Sequence, residues 1–141
     1  MAYNSFFDSN DHSNNQFIGT FCDVDLYLKR EDLIHPIVSG NKFRKLKYNL
    51  LKAKHNKATI LTFGGAFSNH IAATAEACNM LGLNSIGIIR GEELNRDLNQ
   101  TLANNPTLNY AFNKGMKLYF VSRTDYRLKE NLQLVSDLKE K

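Results

Sequence analysis

The stretch Ala58-Thr59-Ile60-Leu61-Thr62-Phe63-Gly64-Gly65-Ala66-Phe67-Ser68-Asn69-His70 decides the fold class. It begins as a short apolar run with a β-branched centre, breaks at two glycines and ends in hydroxyl and amide side chains. That order predicts a strand, a tight turn and a helix start. Downstream, Ala72, Ala73, Ala75, Ala77, Cys78 and Leu81 predict an alanine-rich helix, with Gly82 as its C-terminal cap. Ser85 to Ile89 is the next apolar run. Leu94, Leu98 and Leu102 are spaced by four, which allows a helix weakened by asparagines. Asn105-Pro106 predicts a further helix start, a capping side chain followed by proline, and Gly115 closes that helix. Lys117 to Val121 predicts a third strand, and Leu128, Leu132, Val135 and Leu138 lie on one stripe of a final helix. Strands alternating with helices make a parallel sheet with right-handed crossovers. Near-continuous apolar strands require helices over both faces. The expected architecture is α/β in three layers.

Upstream, Ser39-Gly40-Asn41-Lys42-Phe43-Arg44-Lys45-Leu46 reads as a loop running into a helix, with Phe43, Leu46, Leu50 and Ala53 at roughly helical spacing. Lys42 then sits in the first helical turn. The exposed N–H groups there disfavour a cation, and so favour the neutral amine that Schiff-base chemistry needs. The plainer reading is a solvated lysine among other basic residues. Further back, Val24, Leu26 and Leu28 alternate with Asp25 and Tyr27 as a strand of period two, ending in the charged run Lys29-Arg30-Glu31-Asp32. That run suits a solvated strand end. Pro36 and Gly40 mark the loop before Lys42. The first 16 residues form a polar arm whose Phe6 and Phe7 are expected to dock against the domain.

Gly64-Gly65-Ala66-Phe67-Ser68-Asn69-His70 falls at the carboxyl end of a strand, where ligands bind in open parallel sheets. Ser68 and Asn69 either cap the helix or present their polar groups to a ligand, and the free N–H groups of the turn suit a carboxylate or phosphate. No lysine follows the glycines as in a nucleotide-binding loop, and the dinucleotide fingerprint is absent. His12, His35, His55 and His70 show no metal-ligand spacing, so no metal is expected. Tyr48, Tyr110, Tyr119 and Tyr126 read as core or half-buried residues.

The chain has 141 residues, 43% of them hydrophobic, enough for one domain with a real core. A net charge of +4 is spread along the chain, which argues against a nucleic-acid partner. Cys22 and Cys78 offer no disulfide framework, and no apolar run reaches the length of a membrane span. The N-terminus, with Asn4, Asp8, Asn10 and Asp11, lacks the character of a targeting peptide. A reduced, cytoplasmic protein without a membrane partner is expected.

Three separated stretches carry a resemblance: Lys29-Arg30-Glu31-Asp32-Leu33, Gly40 to Leu46, and Gly64 to His70. In order and spacing they resemble the pyridoxal-phosphate enzymes of the tryptophan-synthase β fold type. Within these, the chain is most similar to the 1-aminocyclopropane-1-carboxylate deaminase and D-cysteine desulfhydrase family. The likeness runs from Val24 to about Arg127 and includes Arg90-Gly91-Glu92 and Asn105-Pro106-Thr107-Leu108. It implies pyridoxal 5′-phosphate as cofactor, a small amino acid as substrate and a homodimer. Lys42 matches the lysine that condenses with the cofactor and moves protons at the substrate carbon, and Asn41 sits beside it. Asn69 matches the asparagine bonded to the cofactor's ring oxygen. Ser68, Asn69 and His70 match the carboxylate cradle, with Ser68 also close to the reacting substrate.

The sequence departs from that pattern in two ways. Ala72 stands where the family usually carries arginine. Family members are also about twice as long, and their glycine-rich phosphate loop, the group facing the pyridine nitrogen and a catalytic tyrosine lie in the part not represented. The eight glycines here do not cluster after Gly91. The expectation is an N-terminal portion of such an enzyme, inactive alone. Residues 1–45 would belong to the larger domain and residues 46–141 form the smaller one. The alternative is a stand-alone, non-catalytic α/β binding or interaction domain derived from such an enzyme.

Overall fold

The computed structural model describes residues 6–7 and 13–139. Asn4, Asp8, Asn10, Asp11 and His12 of the predicted arm lie outside the described residues. An antiparallel hairpin comes first, β1 (Asn15–Phe21) and β2 (Val24–Lys29), turned by Cys22 and Asp23, both at positive φ. Helix α1 spans Gly40–Asn56. There follow β3 (Ile60–Gly65), α2 (Asn69–Leu81), β4 (Ser85–Arg90), α3 (Leu98–Asn104), α4 (Pro106–Asn113) and β5 (Lys117–Val121). The described chain ends with α5 (Arg123–Leu128) and α6 (Gln133–Lys139).

Strands β3, β4 and β5 form one parallel sheet in sequential order. The central strand is buried on both faces, as its unbroken apolar run requires. Ile89 joins Ile71 and Ala75 of α2, Leu108 and Ala111 of α4, and Met116 in one cluster. Its neighbour Ile88 points the other way and packs with Val121, Leu132 and Val135. Helices therefore cover both faces, and the expected three layers are present. Helix α1 lies against α2, burying Phe43, Leu46 and Leu50 with Ala73, Ala77 and Cys78. The small alanines let the two helices approach closely. Glu76 of α2 accepts from Tyr110 Oη and pairs with Lys114 Nζ, each at 2.9 Å, which ties α2 to α4.

Phe6 and Phe7 dock as expected. Phe7 is fully buried and stacks on Phe43 at 5.3 Å, and Phe6 meets Phe43 edge-on. Burial pushes the Cys78 thiol up to about 12, and Cys22 is exposed; neither is in a disulfide. Among the described residues no helix is long and apolar enough to cross a membrane.

Four expectations need correction. The alternation over Val24 to Leu28 does mark a strand, but neither face is covered: all six residues of β2 are exposed. Its partner β1 was not foreseen, because Phe17, Ile18 and Phe21 do not alternate with polar residues in step. The helix allowed by Leu94, Leu98 and Leu102 is broken. Glu92–Asn95 makes a 3₁₀ turn, and α3 begins only after Asp97, whose side chain accepts from the Gln100 N–H. An acceptor mid-stripe restarted the helix. The final stripe is broken at Lys129, at φ +51°, and Leu132 and Val135 reach the core from two segments. Tyr48 is 75% exposed, unlike half-buried Tyr110, Tyr119 and Tyr126.

Candidate active site

Helix α1 begins at a loop shaped by His35. Its Nδ1 accepts from the backbone N–H of Ile37 and Val38, at 3.1 and 3.0 Å. Gly40 opens the helix at φ +55°, a conformation that costs a residue with a Cβ more than it costs glycine. Lys42 follows in the first turn, half-buried, and its Nζ donates to Asn41 Oδ1 at 3.0 Å. The charged run upstream is not merely solvated: Glu31 pairs with Arg44 at 2.7 Å, joining it to α1 beside Lys42.

The second helix start is the turn after β3. Gly64 is required there by close packing, since a Cβ would lie 2.4 Å from Ile71 Cγ1. Ser68 occupies the cap position of α2 but its side chain makes no capping hydrogen bond, and the same holds for Ser39 at α1. By contrast Asp97, Asn105 and Ser122 cap α3, α4 and α5 through their side chains. The two alternatives left open for Ser68 thus separate: its side chain does not cap the helix, and its carbonyl instead accepts from the Ile71 N–H at 3.0 Å.

These two starts face each other. Ser39, Gly40, Asn41 and Lys42 line one side of a cleft of about 410 Å³, and Asn69 and Ala72 line the other. The structure therefore brings Asn41, Lys42 and Asn69 together, with Ser68 adjacent at the turn. His70 is placed elsewhere. Its Nε2 is hydrogen-bonded to Thr62 Oγ1 at 2.8 Å, and it lines a second groove on the far side of the turn. Burial, then the charges of Lys42 and Lys45, lower its pKa. The sequence reading missed His35 and Ser39; a histidine before proline and a serine before Gly40 gave no distinct signal. Among the described residues no three His, Cys, Asp or Glu side chains gather as a metal site.

The His70 shift has a measurable consequence. Unfolded, the imidazole takes up its proton near 6.5; folded, it resists until lower pH. Its contribution to stability is complete above 6.5 and is lost as pH falls below it. The melting temperature is expected to drop on acidification through that range, and His70→Gln to flatten the drop. An unchanged slope in the variant would contradict this.

The amino-acid sequence, as distinct from the geometry of the cleft, has relatives among known proteins. No family model matches the chain. A bifunctional D-cysteine desulfhydrase/1-aminocyclopropane-1-carboxylate deaminase of Arabidopsis thaliana, named as mitochondrial, is 36% identical over 119 residues, or 84% of this chain. The chain is a partial match to the 1-aminocyclopropane-1-carboxylate deaminase and D-cysteine desulfhydrase family. A Pyrococcus abyssi protein, provisionally named such a deaminase, is 44% identical over half of the chain. A D-cysteine desulfhydrase of Salmonella paratyphi B is 35% identical over 46% of it. The chain spans 29%, 22% and 20% of these three proteins' lengths.

Proposed function

We propose that this chain carries the amine-bearing part of a pyridoxal-phosphate deaminase or desulfhydrase acting on a small amino acid. The observation that carries the reading is the cleft itself, where Lys42 on one uncapped helix start faces Asn69 on another. The donor set fits the aldehyde and ring end of that cofactor: a lysine amine, a neighbouring amide and a second amide opposite. Its phosphate end has no glycine cluster to receive it in this sequence after Gly91.

In this reading Lys42 holds the cofactor through its amine and moves a proton at the substrate carbon. Asn41 orients that amine through its Oδ1. Asn69 donates to the ring oxygen, and Ser68 with the N–H groups at the start of α2 receives the substrate carboxylate. His70 positions the turn by anchoring it to Thr62 of β3. The cofactor, when bound, supplies the sink for the electrons left at the substrate carbon. The identity of the amino acid depends on residues outside this chain, and Ala72 leaves space where the family usually has arginine. A homodimer in a reducing cytoplasm completes the proposal, the latter supported by the two free cysteines.

The alternative is a non-catalytic α/β binding or interaction domain built around the same cleft. Titration of the isolated chain with pyridoxal phosphate tests both readings. Weak binding, with no ammonia released from an amino acid, is the expected result. A stable Schiff-base absorbance at micromolar cofactor together with turnover would contradict the inactivity of the isolated chain. Absence of any Schiff base at millimolar cofactor would favour the non-catalytic domain.

A further inference from the structure

Ser39 occupies the cap position of α1 without capping it, since its side chain makes no hydrogen bond to the helix. The order of the loop ahead of the helix rests on another residue. Pro36 brings no N–H, so the first backbone donors after His35 are those of Ile37 and Val38. Both donate to one atom, His35 Nδ1, at 3.1 and 3.0 Å. An acceptor serving the N–H groups two and three residues ahead is the part usually taken by asparagine or aspartate. Here an imidazole takes it, and the same ring meets Phe6 of the arm at 5.5 Å, edge-on.

The two donors stand in different surroundings. Val38 is fully buried and packs in the cluster that holds Phe43 and Leu46. Ile37 lines the cleft on the same wall as Lys42. One ring nitrogen therefore ties the wall of the cleft to the core beneath it. The frame continues to the amine, because the Ser39 carbonyl accepts from the Lys42 N–H at 3.1 Å. We propose that His35 is a positioning residue for the Lys42 amine, acting through a bare Nδ1 that holds the cleft wall at Ile37 and Val38. The inference rests on the reading of Lys42 as the amine that condenses with the cofactor. A neutral imidazole that accepts at Nδ1 carries its proton on Nε2, so the role requires that one tautomer.

The test traps pyridoxal phosphate on the 141-residue chain with borohydride and compares the Lys42 peptide with those carrying Lys52 and Lys117. His35→Phe keeps a ring beside Phe6 but has no acceptor. It is expected to lower the Lys42 share at least about fivefold and to speed amide exchange at Ile37 and Val38 by a similar factor. His35→Asn places an oxygen as many bonds from Cβ as Nδ1, and is expected to restore both readings to within about twofold of the native chain. His35→Gln carries its oxygen one bond further and is expected to behave like the phenylalanine variant. A role in packing alone predicts the reverse order, because phenylalanine and glutamine fill more of the ring's volume than asparagine. Native-like readings for His35→Phe, or an asparagine variant no better than it, overturn the proposal. Should His35→Phe unfold, the native chain decides. Nitrogen chemical shifts of its ring must then place the proton on Nε2, and a proton on Nδ1 overturns the proposal. If the native chain shows no preference for Lys42, the cofactor reading fails, and unchanged exchange at Ile37 and Val38 in His35→Phe overturns this proposal separately.

Discussion

Lys42→Ala removes the borohydride-trapped pyridoxyl adduct from the peptide that spans the α1 start, reducing it to background. Lys42→Arg does the same, because a guanidinium keeps the charge but cannot condense with an aldehyde. Surface lysines condense with the aldehyde as well, so the diagnostic quantity is the adduct at this peptide relative to those carrying Lys52 or Lys117. In the native chain the Lys42 peptide is expected to dominate at low cofactor, because Asn41 holds the amine at a cleft that also offers Asn69. Uniform labelling of all lysines, unchanged by either substitution, would remove the basis for assigning Lys42 a role.

Phe43→Ala carries the largest expected cost in stability. Phe43 is 2% exposed and touches both aromatic residues of the arm as well as the α1–α2 core. Truncating such a side chain costs about 3–5 kcal/mol, against a total stability of roughly 5–15 kcal/mol. For a chain of this size the melting temperature is expected to fall by about 10–20 °C. Because Phe43 adjoins Lys42, the start of α1 loosens too, and the Lys42 adduct weakens with it. Phe43→Leu, which refills most of the volume, recovers most of both losses. A fall of less than about 1 kcal/mol would mean that the arm does not pack as described.

The central part of the fold was legible because each element there follows one rule at a time. The run from Ala58 to His70 contains its own strand, break and helix start, and Asn105-Pro106 contains its own cap. Reading failed where two rules competed. Asp97 satisfies an N–H from within a leucine stripe that would otherwise continue, and the helix splits there. At Lys129 a positive φ interrupts another stripe without a glycine to announce it. The hairpin β1–β2 was half legible, since Val24 to Leu28 alternate correctly while the apolar side chains of Phe17, Ile18, Phe21 and Leu26 remain exposed.

The site divides along the same line. Lys42, Ser68 and Asn69 could be singled out as candidates because glycines and helix starts mark them in the chain, and Asn41 only because the family resemblance places it beside Lys42. That Lys42 and Asn69 share one cleft depends on α1 packing against α2 through Phe43, Leu46 and Leu50, a long-range fact that no local spacing contains. His70 shows the limit most plainly. It follows Asn69 directly, yet one step along the helix turns its ring toward Thr62 and away from the Lys42 cleft.

One measurement tests the shared cleft most directly: amide chemical shifts of the chain before and after reductive attachment of pyridoxal phosphate to Lys42. The account predicts shifts at Ser68, Asn69 and Ala72, across the cleft on α2, as well as in the first turn of α1. Shifts confined to α1, with the α2 start unmoved, would contradict it.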